Sequence, residues 1–167
     1  ALVQRNMNLT TLTTTWMQGA GRMLPLATIM LLSLALGSVA KELGTGIYIA
    51  GLIGDSVAVW LLPAIVFVTS GVIAFSVGTS WGTFSIMLPI AIPVAAAMGA
   101  EPALFVAAVL SGGIFGDHAS PISDTTIVSS LASGTEHIDH VKTQMPYAMS
   151  AGAISGIGFI LLGIVIL

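Results

Sequence analysis

Gly116-Asp117-His118-Ala119-Ser120-Pro121-Ile122-Ser123-Asp124-Thr125-Thr126 is the most polar stretch of an otherwise apolar chain. The short apolar run Pro102 to Phe115 leads into it, and the chain is apolar again as far as Leu131. A helix does not pass simply through such a segment, because Pro121 lacks an N–H and disfavours helical geometry at Ser120. The run before it makes about 21 Å of helix, short of a ~30 Å hydrocarbon core. Residues 102–133 therefore read as a discontinuous helix with a break near 116–121. Irregular backbone at membrane depth persists only where protein or a water-filled cavity surrounds it. An aspartate there costs roughly 2.5–3.5 kcal/mol on insertion scales, and this break has two. That cost marks a site.

The rest of the chain supplies the membrane. Of its 167 residues 56% are hydrophobic and 7% charged, whereas soluble domains carry about 25% charged residues. Eleven charges (four basic, seven acidic) cannot cover the surface of a soluble fold this size, and the mean hydropathy of +1.04 agrees. A net charge of −3 leaves no electrostatic footprint for nucleic acid. With no cysteine, disulfide frameworks and thiolate metal sites are excluded. Uncharged runs predict spanning helices over about 23–40, 57–77, 83–99 and 146–167, and Gly152, Gly156 and Gly158 suit close helix packing in the last. Gly44 to Gly54, ending at Asp55, is too short to cross as a helix. It reads as an interfacial turn or as one limb of a re-entrant hairpin. Residues 1–22 form an interfacial lead-in. The chain begins without methionine and ends on Ile164-Val165-Ile166-Leu167, as half of a longer protein would.

Several constellations carry chemistry. Asp117, Ser120 and Asp124 fall at i, i+3 and i+7, one face of a helix. If Pro121 opens a new helix, Ser120 is its N-cap and Asp124 the acid of a capping-box variant. A helix start is also where ions bind. Carboxylates joined by the hydroxyls of Ser123, Thr125 and Thr126 suit a hard cation such as Na⁺. Desolvation favours the neutral form of a carboxyl group, so one buried aspartate can hold either Na⁺ or H⁺, which is the chemistry of exchange. His118 either tunes the proton affinity of that site or holds the break in shape. Gly78-Thr79-Ser80-Trp81-Gly82-Thr83 reads as an interhelical turn with Trp81 at the interface, or as hydroxyls facing the first break across a cavity. The run Gly134 to His140 reads as a solvated loop rather than a metal site. Asn8-Leu9-Thr10 matches a glycosylation acceptor with nothing else to support it. Gly78 to Gly82 also satisfies G-x-S-x-G, so an intramembrane hydrolase would use Ser80 with His118 as base. That motif needs a strand–turn–helix context, and here it lies between helices. A packing subunit without a site would leave both aspartates unexplained.

The chain resembles the C-terminal half of the NhaC-type Na⁺/H⁺ antiporter family. The resemblance rests on Ala40-Lys41-Glu42-Leu43-Gly44-Thr45-Gly46, on Gly78 to Phe84 with Leu88-Pro89-Ile90-Ala91-Ile92-Pro93, and on Gly116 to Thr126. His137-Ile138-Asp139-His140 and Gln144-Met145-Pro146-Tyr147 complete it. The resemblance implies two inverted halves, each with a re-entrant hairpin and a broken helix. Here 44–55 with 56–78 would contribute the hairpin region and 102–133 the broken helix. It also implies Na⁺/H⁺ exchange, coupled in some members to lactate and malate, while others move amino acids.

The expectation is an all-α, multi-pass cell-membrane protein with a single transmembrane domain over 1–167, one half of an inverted-repeat transporter and not an enzyme. It would perform Na⁺/H⁺ antiport by alternating access. Asp124 is the first choice for the carboxylate that exchanges Na⁺ and H⁺, and Asp117 the second. Ser120, Ser123, Thr125 and Thr126 add oxygens, and Thr79, Ser80 and Thr83 face them. No cofactor is called for beyond the transported Na⁺. The expected partners are membrane lipid and either an N-terminal half or a second copy of the chain. The alternative is a Na⁺- or H⁺-coupled carrier of a small organic acid or amino acid, whose anion would sit at the helix start near Ser120–Pro121.

Overall fold

The structure, a computed structural model, describes residues 8–53 and 57–167. Asn8 opens the first helix: its Oδ1 accepts the Thr11 N–H at 2.7 Å, satisfying one of the donors a helix start leaves free. Helix α1 (Leu9–Glu42) then runs unbroken through most of the expected lead-in and through 23–40. Gly44, at φ 69°, turns the chain into α2 (Thr45–Ile53), nine residues and about 14 Å long. Asp55 lies outside the described residues. A single 3₁₀ turn (Val59–Leu61) enters α3 (Leu62–Val77), and Gly78 at φ 75° stops it in the left-handed region that suits glycine. There follow α4 (Ser80–Ala97), α5 (Pro102–Ala119), α6 (Asp124–Ser133) and α7 (His137–Ile166).

Among the described residues there is no strand. Among the same residues, four helical stretches are long and apolar enough to cross a membrane: Val59–Val77, Ser80–Ala97, Pro102–Ala119 and His137–Ile166. Two expectations are corrected. The helix before the break does not stop at Phe115 but continues through Gly116 to Ala119, 18 residues or about 27 Å, a full crossing instead of half of one. The polar run 134–140 is an exposed loop only as far as Glu136, since α7 already starts at His137.

Packing explains why α5 keeps going. Gly112 and Gly116, four apart on one face, lie directly against the carbonyl oxygens of Phe67 and Gly71 on α3, and a methyl at either position would overlap those oxygens. Without side chains the two backbones touch, which is how helices gain van der Waals contact in lipid. Gly116 therefore serves as a contact surface and not as a breaker. On the other side α5 meets α4 through Phe105 and Val109 against Met87, Ala91 and Ala95. Helices α1 and α2 lie against α4.

Helix α7 closes the α3–α5 pair. Phe67 stacks between Phe115 and Phe159, with ring centroids 5.8 and 5.3 Å apart. Gly152 abuts the Phe115 ring and Gly163 the Trp60 carbonyl, whereas Gly158 has no neighbour within 4 Å. Of the three glycines expected to serve close packing in this span, Gly152 is the tight one. The outer faces of α3 and α7, with Val68, Val72, Ile154, Leu161 and Val165, are exposed. Such surfaces are a liability in water and the ordinary exterior of a protein in a bilayer.

Gly116→Ala is expected to destabilise the protein by about 1–3 kcal/mol, the usual cost of overpacking against a surface that cannot move. Gly158→Ala should be neutral or slightly stabilising. Thermal unfolding in detergent, followed by circular dichroism, separates the two; equal effects would contradict a direct α3–α5 backbone contact.

Candidate functional site

Two interruptions of the chain pack on one another. The α3–α4 turn at Gly78–Thr79 meets the four-residue break Ser120–Ser123, and a methyl at Gly78 would run into the carbonyl of Ile122. Ser120, fully buried, fixes the contact: its Oγ donates to the Phe75 carbonyl at 2.7 Å and accepts from the Ile122 N–H at 3.3 Å. Phe75 lies in the last turn of α3, where carbonyls lose their helical partners. With its hydroxyl so engaged, Ser120 does not cap α6. The N-cap of α6 is Ser123 and Asp124 is its first residue, so the expected capping box does not form. Nor do Asp117, Ser120 and Asp124 share a helical face, since the helix ends at Ala119.

The buried carboxyl of the break is Asp117, 3% exposed. Ser123 Oγ lies 2.6 Å from its Oδ1, while Thr125 Oγ1 and Ser80 Oγ lie 3.2 and 3.3 Å from Oδ2. Ser80 is the first residue of α4 and Ser123 caps α6. The carboxyl thus faces two helix N-termini, whose dipoles favour negative charge, from the last turn of its own helix.

Hydrogen counting restricts this cluster further. Ser123 Oγ and Thr125 Oγ1 are also 2.7 Å apart, and each hydroxyl has one hydrogen to give. If Asp117 is ionised, Thr125 can donate to Ser123 and Ser123 to the carboxylate, which leaves only the 3.2 Å contact without a hydrogen. If Asp117 is a neutral carboxyl, its O–H donates to Ser123, Ser123 to Thr125, and Thr125 to the second carboxyl oxygen. That ring leaves every short contact with a hydrogen in it.

The other expected site residues lie around this ring. Asp124 is exposed and makes no hydrogen bond among the described residues. Thr126 is buried and its Oγ1 has no partner among the described residues. Thr83 is buried but donates to the Thr79 carbonyl of its own helix, and Thr79 marks the start of α4 without a side-chain bond. His118 is exposed, and its carbonyl accepts from Gln144 Nε2 at 2.8 Å. With Thr125, Thr126, Ser129 and Gln144 it lines an open polar pocket of about 150 Å³. Ser80 forms no bond to His118, because its hydroxyl is directed to Asp117.

Sequence reasoning missed a second polar cluster. Ser130 Oγ, on α6, lies 3.1 Å from His137 Nδ1 and 2.8 Å from His140 Nδ1, and His137 Nε2 bonds the Pro121 carbonyl at 2.6 Å. The i, i+3 spacing of the two histidines directly after Gly134 was the available signal. Among the described residues no three His, Asp or Glu side chains converge as a metal site.

A bundle of apolar helices long enough to cross a membrane, with a carboxyl buried at a helix break, is that of an integral membrane protein. The sequence profile of the Na⁺/H⁺ antiporter family matches residues 1–164, and the chain belongs to that family. It is 42% identical over 151 residues to an uncharacterised protein of Haemophilus influenzae, covering 89% of this chain and 29% of that protein. It is 33% identical to the malate-2H⁺/Na⁺-lactate antiporter of Bacillus subtilis, over 55% of this chain and 20% of the relative. The Na⁺/H⁺ antiporter NhaC of Alkalihalophilus pseudofirmus is 28% identical over 70% of this chain and 30% of its own length. The chain thus spans less than a third of these relatives. No solved structure matches it.

Because Ser80 donates to a carboxyl and has no imidazole base, a fluorophosphonate probe is expected to leave it unlabelled in the intact protein. Labelling that disappears in Ser80→Ala would reinstate a nucleophilic serine.

Proposed function

We propose that this chain carries the cation site of a secondary active antiporter, in which Na⁺ and H⁺ compete for Asp117 and are moved by alternating access across the cell membrane. The supporting observation is the Asp117–Ser123–Thr125 ring. Its distances accommodate a neutral carboxyl, the H⁺-loaded form, as well as a carboxylate. Loss of that proton leaves a carboxylate beside two hydroxyls whose hydrogens can turn away, so that three oxygens converge on a space a hard cation fills. Ser80 adds a fourth oxygen from α4. Proton and cation therefore cannot share the site, and their mutual exclusion is what couples the two fluxes.

This reverses the order of the two aspartates. Asp117 is enclosed by hydroxyls, while Asp124 at the start of α6 is open to whatever completes the transporter. In this reading the α5–α6 break is the broken helix of one inverted repeat, and α2 is one limb of its re-entrant hairpin. The other face of the site comes from an N-terminal half or a second copy, because such sites lie at repeat interfaces. Thr126, with its unpartnered buried hydroxyl, would supply an oxygen on ion entry. His118 would hold the break through its carbonyl.

A second reading follows from the malate/lactate relative and from the polar pocket beside Thr125. In that reading the same cation site drives a small organic acid.

The test is Na⁺-driven proton movement in liposomes carrying the intact transporter. Asp117→Asn keeps an amide able to complete the hydroxyl ring, so it should fold normally and lose exchange to background. Asp124→Asn should keep measurable exchange. Full exchange in Asp117→Asn would refute the assignment. A wild type that moves no protons, but takes up a carboxylate under a Na⁺ gradient, would favour the second reading.

A further inference from the structure

We infer that His137 is a positioning residue that clasps the helix break from α7, acting on the cation site through the backbone of Pro121; the inference rests on the reading of Asp117 above. Pro121 leads the break, and its carbonyl has no helical partner. His137 Nε2 sits 2.6 Å from that oxygen. A carbonyl only accepts, so Nε2 carries the hydrogen. The other ring nitrogen, Nδ1, lies 3.1 Å from Ser130 Oγ, which holds the ring against α6. The Ser130 hydroxyl also meets the Thr126 carbonyl and His140 Nδ1, each at 2.8 Å. The result is a polar chain, His140–Ser130–His137–Pro121, that ends on the carbonyl of the break. Ser130 is 2% exposed, so this chain is shielded from water that would compete for it.

The chain ties three elements together. His137 and His140 stand in the first turns of α7, Ser130 in the second turn of α6, and Pro121 in the break between α5 and α6. Pro121 follows Ser120, whose hydroxyl seats the break on α3, and precedes Ser123 by two residues. Pulling on the Pro121 carbonyl thus sets where the Ser123 hydroxyl meets Asp117. The charged groups on the packed elements are Asp117 and His118 on α5, Asp124 on α6, and Glu136, Asp139 and Lys142 on α7. None of them bonds either imidazole, and Asp139 is 3.9 Å from Lys142.

Two substitutions separate positioning from mere filling of space. Gln places an amide N–H near the position of Nε2, while Asn places one near Nδ1, which faces Ser130 and not Pro121. In the intact transporter, His137→Gln should stay close to wild type. His137→Asn and His137→Ala should raise the apparent KM for Na⁺ by about tenfold or more, the usual effect of removing a group that orients a ligand from outside it, with a smaller change in kcat. Equal KM values for the Gln and Asn variants would overturn the proposal.

Hydrogen exchange at the Ile122 and Ser123 amides gives a readout independent of transport. These amides donate to Ser120 Oγ and Ser120 O. Losing one hydrogen bond should speed their exchange roughly fivefold in the Asn and Ala variants, with the Gln variant near wild type. Unchanged exchange in all three variants would refute the clasp. Exchange that follows this pattern in a protein that moves no Na⁺ would support the clasp while failing the antiporter reading.

Discussion

A backbone that leaves its helix away from water must find partners within the protein, and the arrangement around the buried residues Ser120 and Ser123 answers that constraint group by group. Ser120 satisfies the Ile122 N–H with its side chain and the Ser123 N–H with its carbonyl. In the same place its hydroxyl supplies the Phe75 carbonyl at the end of α3. The Pro121 carbonyl is met by His137 and that of His118 by Gln144, both from α7. No single element could do this. The break needs α3 beneath it, α7 beside it, and the glycines that let the elements come close.

Those glycines have a mechanical consequence. Gly112 and Gly116 bring α5 into backbone contact with α3, and Gly78 lets the α3–α4 turn reach the break. Asp117 follows Gly116 directly, so the contact that fixes the helix pair also fixes the carboxyl, about one residue's rise away. Ser80 sits two residues beyond Gly78. The two small-residue contacts therefore hold the partners of one hydrogen bond from opposite sides, and neither contact tolerates a larger side chain.

A site built from one carboxyl group and several hydroxyls recognises charge and hardness, not the shape of an organic molecule. That fits a segment shared by relatives whose names differ in cargo, one for malate and lactate and another for Na⁺ and H⁺ alone. In the proposed reading, cargo selection would belong to surfaces that this segment meets in the whole transporter, and the coupling chemistry to the break.

Much of this was legible in the sequence. Scarcity of charge alone dictates a membrane protein, because eleven charged side chains cannot clothe a soluble fold of this size. Pro121 among polar residues dictates a broken helix, because proline removes a donor and crowds the preceding turn. The segment that carries the site followed from those two facts. Its internal assignments did not. Asp117 and Asp124 are chemically identical, and only packing distinguishes the one enclosed by Ser80, Ser123 and Thr125 from the one left open. Gly116 looked like a breaker because propensity is local, whereas its use is a contact with Gly71, 45 residues earlier. His137 and His140 looked solvated because their partners, Ser130 and the Pro121 carbonyl, belong to other elements. Sequence pattern reports periodicity and cost. Which buried group finds which partner depends on distances between segments remote in the chain, and those exist only once the helices have packed.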